Sequence, residues 1–227
     1  MTLTVWRLQT ENKPLRQGEE RKMKPVKVTR KTTESEMTVV LDFSPIKPNY
    51  REKINTSLPF LNHMIEHIAW RAGVNVEVDC KLSGFTLTHV ICEDLGIAFG
   101  KACAEHIRRT DGACGFGDAI GIIDEAKAET AMSFESRAFF DMDCHDVVIP
   151  SETEGMQSED LETFLEGFAQ GAVCTFQIDV LRGVNGHHIW EAVFRSVGSA
   201  LKNVLAVDEG RKGMTSGVAG KIEWIIE

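Results

Sequence analysis

The sequence predicts an α+β fold of two duplicated ββαβα half-domains, with the helices packed face to face between two four-stranded sheets. Three observations carry this. The order of strand-like and helix-like segments runs through the chain twice. Sliding the chain by about 100 residues sets Glu66 on Glu166, Ala69 on Ala169, Ala72 on Ala172 and Asp79 on Asp179, with Ile65/Leu165, Ile68/Phe168 and Val78/Ile178 as apolar matches. Finally, the pentapeptide His187-His188-Ile189-Trp190-Glu191 is echoed by His89-Val90-Ile91-Cys92-Glu93, in a shift of about 98 that also matches Gly100 with Gly198 and Ala102 with Ala200. Self-similarity at this period indicates a repeated half-domain rather than a solenoid, whose units run to about 20–50 residues.

The elements follow from local pattern. Residues 1–24 are polar, charged and broken by Pro14, and read as an extension. From Val26 to Phe43 two strands flank a polar turn, the β-branched Thr38, Val39 and Val40 marking the second. After a loop with Pro45 and Pro48, the apolar residues Leu61, Met64, Ile65, Ile68 and Ala69 recur at helical spacing; a strand over 74–82 and a helix from about His89 to Arg108 close the first half, residues 25–115. The second half, residues 116–210, repeats the order: a strand pair over 119–142, a helix over 161–172, a strand over 174–183 and a helix over 187–206. Residues 211–227 form a C-terminal segment.

Composition sets the outer limits. The 227 residues, 43% hydrophobic and 26% charged, suit a globular protein with a sizeable core. A formal charge of -9 argues against a nucleic-acid or anionic-membrane partner but leaves a phosphorylated small molecule open. Six cysteines without a CxxC spacing, mostly in apolar runs, read as reduced thiols. With no apolar h-region at the N-terminus and no run of about 18 apolar residues, a cytoplasmic protein is expected.

The cassettes carry chemistry. On a helix, residues i and i+4 share a face, so His89 with Glu93 and His187 with Glu191 each aim an imidazole and a carboxylate at one point. A single such pair is usually an ordinary surface contact; its recurrence at equivalent places in two halves points to metal ligation. His188 projects about 100° further round its helix and would serve a different ion. The alignment also sets His63 on Thr163 and Val90 on His188, so a symmetric ancestor would have carried three histidines and one glutamate per half.

These motifs make the chain resemble the imidazoleglycerol-phosphate dehydratases over roughly residues 24–217. The family's FLDHM stands here as Phe60-Leu61-Asn62-His63-Met64, its HHTxED as His89-Val90-Ile91-Cys92-Glu93-Asp94, and its HHxxEAxF as His187-His188-Ile189-Trp190-Glu191-Ala192-Val193-Phe194. Its Asp-Glu-Ala turn is Asp124-Glu125-Ala126 and its R-x-T-x-E hairpin runs from Arg30 through Thr32 to Glu34. The resemblance implies a ribosomal protein S5 domain 2-like fold, a manganese hydro-lyase of histidine biosynthesis, and two sites per subunit for Mn²⁺ or another divalent metal. The ions act as Lewis acids on the ring nitrogens of the substrate. One site would take the residues matching His89, Glu93, Thr163 and His188, the other those matching His63, Val90, His187 and Glu191. The family histidines at Val90 and Thr163 are absent, leaving two histidines and one carboxylate at each. His67, one turn beyond His63, reads as a helix-surface histidine that is placed to substitute.

By the same resemblance Glu34 and Glu191 are the acid/base candidates, Asp124 lies near the substrate ring, and Asp94 orients a neighbour. Arg137, Arg195 and Ser216 match phosphate-binding positions. A family arginine is replaced at Cys114 or Gly115, and the C-terminal phosphate loop survives only as Thr215-Ser216-Gly217, without its lysine. Charge-assisted contacts contribute about 1.5–3 kcal/mol each, so these losses bear on substrate affinity. The resemblance also implies a homo-oligomer, from a trimer up to a 24-subunit shell. Three readings stay open: a dehydratase with thinner metal sites, a divergent metalloenzyme acting on another small substrate, and a non-catalytic relative with an assembly or binding role.

Overall fold

The structure, a computed structural model, describes residues 24–84, 86–220, 222–223 and 225. The extension expected over residues 1–24 lies, except for Lys24, outside them. In chain order the first half holds β1 (Val26–Lys31), β2 (Ser35–Asp42), β3 (Ile54–Asn55), α1 (Pro59–Ala72), β4 (Asn75–Leu82) and α2 (Thr88–Arg109). The second holds β5 (Phe116–Ile123), β6 (Ala126–Ser133), β7 (Phe139–Asp143), β8 (Glu152–Thr153), β9 (Met156–Gln157), α3 (Ser158–Ala172), β10 (Thr175–Arg182) and α4 (Gly186–Val204), followed by a short 3₁₀ turn at Glu209–Arg211.

Two four-stranded sheets have the same layout, β1-β2-β4-β3 and β5-β6-β10-β7. In each, an antiparallel hairpin leads into a third antiparallel strand, and the fourth adds in parallel at the outer edge. The elements read from pattern correspond to β1, β2, α1, β4, α2, β5, β6, α3, β10 and α4. The outer strands differ from the sequence expectation. The segment read as one strand pair over 119–142 divides into β5, β6 and β7, and β3 together with the β8–β9 hairpin was not read at all. The reason is length and depth: β3, β8 and β9 have two residues each, too few to print a period, and β7 alternates only between exposed and half-buried positions.

Helix α2 lies on β1 and β2, α4 lies on β5 and β6, and the two layers meet as α2 against α3 and α1 against α4. The crossings are close because glycines remove side-chain bulk. A Cβ on Gly96 or Gly100 would collide with the carbonyl oxygens of Phe164 and Phe168, and one on Gly171 with that of Ile97. At the other crossing a Cβ on Gly198 would sit 2.8 Å from the Ile68 carbonyl oxygen. Gly100 against Phe168 and Gly198 against Ile68 are equivalent contacts under the sequence alignment.

Phe99, Phe164, Phe168 and Phe176 fill the middle, with ring centroids 5.6–6.2 Å apart along the chain of contacts. Burial of each such ring is worth about 1.5–3 kcal/mol. All six cysteines are free, and burial pushes the Cys80 and Cys174 thiols up to about 12, which keeps them protonated and unreactive. Among the described residues no helix is long and apolar enough to cross a membrane.

Candidate metal centre

The α1–α4 crossing builds the densest cluster of ligand-type side chains. Asn185 starts α4 by accepting from the backbone N–H groups of His187 and His188 at 2.9 and 3.3 Å, which sets both imidazoles at the helix entrance. One turn on, Glu191 points into the crossing and is 5% exposed. From α1, His63 and His67 stack on one face with their Nε2 atoms 3.3 Å apart.

The two carboxylate oxygens of Glu191 divide these neighbours. Oε2 lies 3.3 Å from His187 Nε2 and 3.7 Å from His63 Nε2. Oε1 lies 3.3 Å from His67 Nε2 and is ion-paired with the Arg195 guanidinium. A buried carboxylate needs such compensation. Arg195 is anchored in turn by donating to the Ile122 carbonyl at 2.8 Å.

Histidines 187 and 188 are gripped from behind by carboxylates. His187 Nδ1 lies 3.0 Å from Glu154 Oε1, and His188 Nδ1 lies 2.8 Å from Glu125 Oε2. The other Glu125 oxygen accepts from the backbone N–H of Asn185 and Val184 at 2.9 and 3.3 Å. The Asn185 N–H first and His188 second hold the Glu125 carboxyl down at about 2, and the same hydrogen bond raises His188 above the usual imidazole value. A carboxylate on Nδ1 keeps the proton there and turns the Nε2 lone pair outward, the tautomer that binds a cation. Burial lowers His67 to about 4, so its ring is neutral near pH 7. The imidazoles of His63, His67 and His187 with the Glu191 carboxylate form a donor set suited to a divalent transition-metal ion, and these residues fit one.

The expected ligands do not all gather. His63, His187 and Glu191 come together as a set, and His67, read as a helix-surface residue, joins them at 17% side-chain exposure. His89 stands elsewhere, its Nδ1 3.8 Å from Oδ1 of Asp160, whose carboxyl burial pushes up. Thr163 Oγ1 donates to the Glu159 carbonyl at 2.8 Å. His188 Nε2 faces Asp124 Oδ2 at 3.7 Å. Among the described residues no contact joins His89 or Glu93 to His188. A further donor group, Asp143, His145 and Asp179, lies on the exposed outer edge of the second sheet.

Glu34 is exposed at the tip of the β1–β2 hairpin. Its turn is fixed by Thr32 Oγ1, which accepts from the Glu34 and Ser35 N–H groups at 3.1 and 3.0 Å. Buried Asp94 of α2 pins the hairpin through Arg30 and Ser35, so the orienting role expected of Asp94 falls on this hairpin.

Arg137 pairs with Glu135 at 3.1 Å, and Ser216 Oγ donates to the Phe134 carbonyl at 3.1 Å. At Gly115, where φ is 65°, a Cβ would collide with Ser216. The C-terminal loop therefore packs where the resemblance leads one to expect an arginine. Glu135, Arg211, Thr215 and Ser216 line an open cavity of about 740 Å³. A second, of about 430 Å³, lies directly against His63, His67, Arg71 and Arg195.

Sequence reasoning missed Glu154, which sits in a two-strand hairpin with no periodicity to mark it, and it named Glu125 only as part of a motif. The signal for Glu125 was the Asp124-Glu125-Ala126 motif; its place against the start of α4 is seen only in the fold.

Comparison with known proteins agrees with this architecture. A family model described as imidazoleglycerol-phosphate dehydratase matches residues 56–201. Imidazoleglycerol-phosphate dehydratases of Burkholderia multivorans and Burkholderia cenocepacia are 33% and 32% identical over 201 residues, which is 88% of this chain and 100% of each relative. The crystal structure of IGPD from Pyrococcus furiosus superposes with a TM-score of 0.70 at 27% identity, covering 86% of this chain and 99% of that one. The imidazoleglycerol-phosphate dehydratase of Staphylococcus aureus gives a TM-score of 0.68 at 23% identity over 80% and 99%, a likeness of fold.

Proposed function

Because the chain belongs to the imidazoleglycerol-phosphate dehydratase family, we propose that it is a metal-dependent hydro-lyase of histidine biosynthesis, removing water from imidazoleglycerol phosphate. The observation that carries this reading is the convergence of His63, His67 and His187 on the buried Glu191 carboxylate, beside a cavity. Mn²⁺ bound there supplies Lewis acidity to an imidazole ring that is otherwise unactivated.

The side chains then have distinct tasks. Glu154 and Glu125 hold His187 and His188 with Nε2 outward. Arg195 holds Glu191 in the crossing and restrains it from swinging away. Glu34, on a hairpin fastened by Arg30 and Asp94, takes up the proton released from carbon as the C–H bond breaks. The neighbouring C–O bond breaks in the same overall reaction, a C=C bond forms, and the departing oxygen leaves as water after protonation, with Glu191 the alternative proton carrier. Asp124, beside His188, faces the ring, and Arg137 and Ser216 hold the phosphate.

His89 and Glu93 stand apart from His188 within one chain, which supports a second metal site completed by a neighbouring copy in a homo-oligomer. The shared layout of the two sheets and the equivalent glycine contacts support internal duplication over residues 25–115 and 116–210. One observation favours a second reading, a related metalloenzyme with another small substrate: Arg195 is committed to Glu191 rather than free for a phosphate.

A dehydration assay with Mn²⁺-loaded protein distinguishes them. The first reading expects a product one water lighter than imidazoleglycerol phosphate. Stoichiometric metal without turnover would count for the second.

A further inference from the structure

The family resemblance assigns no task to the histidine one turn beyond His63, and its position gives it one. We infer that His67 is a metal ligand, so that His63, His67 and Glu191, with His187 set against Glu191 Oε2, form a cation site within a single chain. The inference rests on the metal dependence proposed above and adds a ligand to it.

The geometry is specific. His67 Nε2 lies 3.3 Å from both Glu191 Oε1 and His63 Nε2, and one ligand atom from each of these three side chains falls within 4.8 Å of every other. A divalent ion binds imidazole nitrogen and carboxylate oxygen at about 2.0–2.2 Å, so donors held 3–4 Å apart are spaced to share one. His67 cannot leave easily, because it is packed in the α1–α4 crossing at 17% side-chain exposure. A surface histidine has no need of two ligand-type neighbours, His63 and Glu191, on the same ring nitrogen. The arrangement needs no side chain from another subunit, in contrast to His89, Glu93 and His188.

The test is Mn²⁺ titration of purified protein, with free Mn²⁺ read by its paramagnetic resonance signal and coordinated imidazoles counted by pulsed resonance on the bound ion. Wild type is expected to show a tight class of sites with three imidazoles. His67→Ala and the closer in shape His67→Gln should each weaken that class by about tenfold or more and reduce the count to two. His145→Ala, outside the site, should change neither. Unaltered affinity and three imidazoles in a folded His67 variant would overturn the inference while leaving the proposed function standing. If wild type binds no Mn²⁺, the metal-dependent reading itself fails, and the inference with it.

Discussion

Glu125 and Glu154 contact the Nδ1 atoms of His188 and His187, and of these two histidines His187 belongs to the cluster. Glu154→Ala is therefore expected to lower Mn²⁺ affinity by about 10- to 100-fold without unfolding the protein, as measured by metal titration. An unchanged affinity would show the Nδ1 contact to be incidental. His106 illustrates a different cost of burial. It is 2% exposed, stacked on Phe43 at 3.6 Å, and burial lowers it to about 4 from an ordinary 6.5. Its neutral form contributes stability in full above pH 6.5, and that contribution is lost as pH falls toward 4, because the unfolded chain then binds the extra proton. The loss is about 3 kcal/mol. Denaturant melts across this window should show the decline, and His106→Leu should flatten it. The cluster itself was half legible in the sequence: cassette repetition singled out His187 and Glu191, and motif resemblance His63. What placed His67 among them is the crossing of α1 on α4, which no local pattern encodes.

The ends of α1 and α3 show how repeated elements diverge. α1 stops at Gly73 with φ 73°, whereas α3 stops at the equivalent Val173 with φ 52°, a left-handed conformation unfavourable for a β-branched residue. Relieving this strain outweighs the added freedom of glycine in the unfolded chain, so Val173→Gly should raise stability by about 1 kcal/mol. A lower melting midpoint would contradict that. In the opposite direction, Gly100→Leu should destabilise by about 1–3 kcal/mol or more by forcing α2 off the Phe168 carbonyl. Long elements with one buried face were readable because periodicity records the burial. β3, β7 and the β8–β9 hairpin were not, being defined by which neighbour they pair with rather than by their own composition.

For the whole molecule, the proposed reading has two kinds of metal site. The one proposed at the α1–α4 crossing would be built by a single chain, whereas His89 and Glu93 on α2 and His188 at the start of α4 stand apart and would need another copy to meet. Light scattering should accordingly show mass rising on addition of Mn²⁺ and falling with a chelator; a mass indifferent to both would rule out metal-linked assembly. On the proposed reading this chain dehydrates imidazoleglycerol phosphate through a metal ion bound at Glu191. The most direct measurement is turnover of imidazoleglycerol phosphate by chelator-stripped protein titrated with Mn²⁺, with Glu191→Gln in parallel. Turnover is expected to be absent without metal, to rise with bound Mn²⁺ and to stay absent in Glu191→Gln; turnover in the stripped protein, or none at full metal loading, would contradict a metal-dependent dehydration at Glu191.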